Sequence, residues 1–168
     1  SERKRVFENQ VRSGNRPYPK EPRQLISASA VLGDLEYPLK AFPEAAIQAA
    51  LNRREEMTPL LLKILDDAVV MYESEDVNYM APLFSLYILS QFREQKAFPL
   101  IIELARLPEE KLDQMIGDSL TENLPQFIGS TYDGNLEMIK ALIEDPQVCI
   151  WSRSAALRSL LVLFKEGI

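Results

Sequence analysis

Chemistry needs polar groups that converge, and the stretch that best meets that need is GDSLTENLPQFIGSTYDG at residues 117–134. Asp118 and Glu122 lie one helical turn apart, as do Asp118 and Thr121, so their oxygens can converge on one cation or hydrogen-bond donor. The same letters also spell a helix start. Asp118 or Ser119 can act as N-cap, and Ser119 with Glu122 fits the S-x-x-E capping box, which is the preferred reading. At the other end, Asp133, Gly134 and Asn135 are explained by turn chemistry, with Gly134 in a left-handed conformation. Tyr132 exceeds what a turn needs, and an aromatic beside carboxylates can line a ligand groove. Trp151 and Arg153 open the last helical stretch and belong to residue types enriched at binding hot spots. Both also have structural readings: Trp151 as a packing residue, and Arg153 as an ion-pair partner of Asp133, Glu137 or Asp145. The candidate binding set is therefore Asp118, Thr121, Glu122, Tyr132, Asp133, Trp151 and Arg153.

The sequence contains no histidine and a single cysteine, Cys149. That leaves no thiolate or imidazole cluster for zinc, no internal disulfide, and neither Ser-His nor Cys-His nucleophile pairs. Any catalysis would have to run on carboxylates, lysine or tyrosine, and a hydrolase with paired carboxylates is the class those groups suit. No catalytic residue, metal ligand or cofactor is assigned. Glu73, Glu75 and Asp76 form an acidic loop without the glycine turn and further ligands of a calcium site, and read as a solvated loop with Asp76 capping the next helix.

Charge is uneven along the chain. Residues 1–23 carry seven Lys/Arg against Glu2, Glu8 and Glu21, which leaves 12 basic and 22 acidic residues, net −10, on residues 24–168. An acidic body repels phosphate backbones, so nucleic-acid contact is disfavoured and would rest on the basic arm alone. No apolar run approaches the roughly 18–20 residues needed to span a bilayer, and no secretory h-region opens the chain. A cytoplasmic, non-membrane location is the default expectation.

The elements that must position these residues are helices. Residues 1–36, with Pro17, Pro19 and Pro22, read as a basic, irregular, extended arm, with short helices allowed at 3–11 and 25–32. Residues 37–168 read as a helical-repeat domain with helices near 43–54, 58–72, 77–93, 97–106, 108–115, 119–131, 135–144 and 148–165. Pro43, Pro59, Pro99 and Pro108 suit first helical positions, where the missing N–H has no partner to lose, and Thr58 suits an N-cap before Pro59. The 77–93 helix is apolar around nearly its whole circumference and is expected at the centre. PLLLKILDD at 59–67, PLIIELARL at 99–107 and LEMIKALIEDP at 136–146 recur at about 40 residues, the period of HEAT and armadillo units. The expected fold is thus all-α, a HEAT-like α-solenoid: a right-handed stack of antiparallel helix pairs. A fourth pair begins with WSRSAALRSLLVLF at 151–164 and lacks its second helix. The apolar face of 148–165 is expected to meet the remainder of a longer protein or a partner, including a second copy of the chain.

From EAAIQAALNRREEMTPLLLKIL through GDSLTEN, YDGNLEMIKALIEDP and WSRSAAL, residues 40–166 resemble an uncharacterised bacterial helical family, domain of unknown function 1186. The resemblance implies a bacterial, cytoplasmic protein, often longer than this chain and in some members ending in a small Cys/His zinc module. That module has no counterpart here, so zinc does not carry over.

The function expected is a non-catalytic protein–protein interaction or scaffold module, engaging a protein or peptide partner that the acidic surface would favour as basic. One alternative is a small-ligand binder or hydrolase with a carboxylate-rich pocket at 118–133. The other is nucleic-acid contact through the arm.

Overall fold

The computed structural model describes residues 27–38, 42–71 and 79–168, and every regular element among them is a helix. In chain order these are α1 (Ala28–Glu36), α2 (Glu44–Leu51), α3 (Arg54–Met71), α4 (Ala81–Phe92), α5 (Ala97–Ala105), α6 (Glu109–Ile116), α7 (Ser119–Glu122), α8 (Leu124–Thr131), α9 (Leu136–Glu144) and α10 (Ile150–Lys165). The helix allowed at 3–11, the three arm prolines and the acidic loop at 73–76 lie outside the described residues.

Helix α1 forms at the end of the stretch read as an irregular arm and extends beyond the turn allowed at 25–32. Ser27 caps it by accepting the Ala30 N–H at 3.2 Å. Val31 and Leu35, four residues apart on one face, are fully buried against α2 and α4. Each such burial contributes on the order of 1.5–3 kcal/mol, enough to dock a nine-residue helix too short to stand alone.

The prolines do not all mark first helical positions. Pro43 and Pro108 sit one residue earlier, at the N-cap, and Pro99 is the third residue of α5. The larger correction is Pro59, which lies inside α3. That helix starts at Arg54, where Glu55 and Glu56 supply first-turn carboxylates to the positive end of its dipole, so Thr58 is a helical residue and not a cap. Two prolines not singled out from the sequence, Pro82 and Pro125, do occupy the opening turns of α4 and α8.

Helix α4 is the central one, as its apolar circumference predicts: Phe84, Leu86, Ile88, Leu89 and Phe92 are buried, and it packs on α1, α2, α3, α6 and α8. Two series of contacts run through the molecule. In one, α2 packs on α4, α4 on α8 and α8 on α10; in the other, α3 packs on α5 and α5 on α9. Cross-contacts of α3 with α4, α5 with α8 and α9 with α10 tie the series together around one continuous core.

The tightest approach is between α8 and α10. A Cβ at Gly129 would stand 2.6 Å from Val162 Cγ1, and the α10 face turned to the core is built from Ser152, Ala155, Ala156, Ser159 and Leu163. Mostly small residues there let the two helices meet almost backbone to backbone.

Candidate functional site

The seven candidate residues fall into three places. Around α7, Asp118 occupies the N-cap position but makes no side-chain capping bond, and the S-x-x-E box does not form. Ser119 is buried, with its Oγ 3.2 Å from the Tyr87 hydroxyl, and that hydroxyl donates to Asn123 Oδ1 at 2.8 Å. The N–H groups that a box would serve are already taken, Leu120 donating to the Gly117 carbonyl and Thr121 and Glu122 to that of Asp118. Thr121 Oγ1 turns back to the Asp118 carbonyl at 3.1 Å, and the Thr121 carbonyl accepts from Arg158 Nη1 at 2.7 Å.

At the far end of α8, Tyr132 lays its ring edge-on to Phe98 with centroids 5.5 Å apart, and its carbonyl accepts from Gln95 Nε2. Asp133 Oδ1 accepts the Asn135 N–H at 2.9 Å, and Gly134 has φ of +102°, so turn chemistry accounts for this segment. At the start of α10, the exposed Trp151 donates Nε1–H to Glu109 Oε1 at 3.1 Å. Arg153 makes none of the expected ion pairs with Asp133, Glu137 or Asp145. Its Nε–H goes to the Ile143 carbonyl at 2.8 Å, satisfying an orphan acceptor at the C-terminal end of α9. Asp145 pairs instead with Arg106 at 2.7 Å, and Glu137 with Lys140 at 2.6 Å.

Among the described residues, no three of His, Cys, Asp and Glu gather as a metal would require. No helix among them is long and apolar enough to cross a membrane.

Of the seven, only Glu122 lines a cavity between α8 and α10. This groove has a volume of about 300 Å³, and in it Glu122, Pro125 and Gln126 face Arg158, Leu161 and Lys165. Glu166, on the same wall, holds Arg93 through two bonds of 2.6 and 2.8 Å. Those hydrogen bonds, reinforced by the carboxylate charge, raise the Arg93 pKa above its ordinary value. The pair ties the end of α4 to the end of α10.

Leu161 belongs both to the groove and to an apolar stripe along the outside of α10. Leu157, Leu161 and Phe164 are 57%, 64% and 79% exposed, at i, i+4 and i+7, and Ile150 extends the line at the start of the helix. At 100° per residue the stripe stands directly opposite the buried Ser152–Ser159–Leu163 face. Arg158 and Lys165, seven residues apart, follow it along one rim. The C-terminal apolar run already directed attention to this helix. A helical projection of 148–165 gathers these large side chains on one face with Arg158 and Lys165 beside them, but does not say which face meets the core, and the Tyr87–Ser119–Asn123 contact had no sequence signal.

Two curated relatives, each described as an uncharacterized protein, come from Chlamydia muridarum (strain MoPn / Nigg) and Chlamydia trachomatis serovar D. Each is 39% identical over 140 residues, which is 82% of this chain and 56% or 55% of the relative. The chain thus spans about half the length of the curated relatives it matches. No solved structure matches it. With residues 26–168 matching the description "Protein of unknown function (DUF1186)", the chain belongs to that family.

Proposed function

We propose that this domain is a non-catalytic protein-interaction module of the bacterial cytoplasm, a HEAT-like stack of helix pairs that offers its last helix to a partner. The observation that carries this reading is the stripe on α10. Large apolar side chains exposed in a row on one helix, opposite a well-packed face, mark a surface built to be covered. The stack is supported by the two contact series, in which helices one repeat apart lie against each other. The carboxylate-pocket alternative gains no such support, because Glu122 lines the α8–α10 groove while Tyr132 packs on Phe98 and Asp133 serves a turn.

The test is an affinity capture from a bacterial lysate with the 168-residue chain, compared with L161D/F164D and with E122A/Y132A. Loss of a discrete partner with the first variant alone supports the reading. Equal recovery with all three proteins refutes it.

A further inference from the structure

Resting on the interaction reading, we propose that the occupant of the α10 stripe is an acidic amphipathic helix of a partner protein. Its apolar ridge lies on Leu157, Leu161 and Phe164, and its carboxylates reach Arg158 and Lys165. From Ile150 to Phe164 the stripe runs for about 21 Å, four turns, the length over which a helix of ordinary size makes contact. The groove beside it gives the surface a concave edge, in which one flank of a helix can settle against Leu161 and Pro125.

The rim chooses the sign of the partner. Lys165 makes no ion pair among the described residues, and Arg158 spends one N–H on the Thr121 carbonyl while remaining exposed. Net charge over residues 24–168 favours basic partners, but a docked helix feels first the charges within a Debye length, and there Arg158 and Lys165 outnumber Glu122, Glu166 being held by Arg93.

The same rim disfavours a second copy. Antiparallel two-fold pairing that sets Leu157 of one copy on Leu161 of the other brings the two Arg158 side chains together. Parallel pairing sets Arg158 and Lys165 against the Arg153 side. An anionic bilayer is disfavoured by the net charge of −6, because an extended surface meets the charge of the whole chain.

The experiment uses two labelled synthetic peptides sharing one leucine ridge, one flanked by glutamates and the other by lysines, titrated against the 168-residue chain by fluorescence anisotropy. The acidic peptide should bind about tenfold tighter, the difference expected of two surface charge pairs turned from attractive to repulsive. R158E/K165E should reverse that order, and L161D/F164D should abolish binding of both. K165Q alone should halve the preference on a free-energy scale, which keeps the test valid if an Arg158 variant unfolds. Equal affinities, a preference for the basic peptide, or no binding overturns the proposal. So does a dimer by light scattering that L161D/F164D dissolves, or co-sedimentation with phosphatidylserine vesicles that the same variant removes. If neither peptide binds while lysate capture still depends on Leu161 and Phe164, the acidic helix falls and the interaction reading stands.

Discussion

Ser85 sits fully buried in the central helix, and its hydroxyl has no hydrogen-bond partner among the described residues. A buried, unpaired hydroxyl costs about 1–3 kcal/mol relative to one left in water, so Ser85→Ala is expected to stabilise the domain, by about 1 kcal/mol, read as a rise in Tm. Tyr87, two residues on, behaves in the opposite way. Its hydroxyl bridges α4 to Asn123 and Ser119, so Tyr87→Phe should lower stability by about 0.5–1.5 kcal/mol in a denaturant titration. These two residues show why the candidate site was only partly legible. Both lie in one apolar run of the sequence, and nothing in that run says which hydroxyl finds a partner thirty residues away. The letters S-x-x-E at 119–122 had a complete local explanation, yet Ser119 was taken by Tyr87. Asp133 and Gly134 were read correctly because their bonds close within two residues.

Helix existence was legible nearly throughout from apolar period or capping residues, although the single helix expected at 119–131 is broken at Asn123 into α7 and α8. Boundaries were harder where proline was the guide. Proline is tolerated across a helix's first turn, so it marks a start only to within a few residues, and in α3 it lies one turn farther in. There it withholds an N–H from the Glu55 carbonyl. Pro59→Ala should therefore stabilise the domain by about 1–2 kcal/mol, the helix gain being offset in part by a freer unfolded chain, and thermal melts will detect it. Contacts between successive second helices rest partly on Arg106 and Asp145, whose side chains are each about a third exposed. A double-mutant cycle with alanine at both positions should give a coupling of about 0.5–1 kcal/mol after allowance for that exposure.

Across the whole molecule, one core runs from Val31 to Leu163, while the outer face of α10 takes no part in it. The two faces of that helix should respond in contrasting ways. Leu163→Ala should cost about 2–5 kcal/mol, whereas L161D and F164D should each stay within about 0.5 kcal/mol of the parent in denaturant titrations. If the outer variants unfold the domain, the stripe is structural. The apolar C-terminal helix was visible in the sequence, but which leucines faced outward depended on where α8 would lie.

That placement turns on Gly129. With no side chain between α8 and Val162, the terminal helix rests on its neighbour at a fixed tilt, and its outer edge points where that tilt aims it. A methyl group at position 129 would act as a wedge near a fulcrum, swinging the far end of a 16-residue lever. Gly129→Ala should then misdirect recognition as well as strain the fold, and trimming Val162 to alanine should restore both.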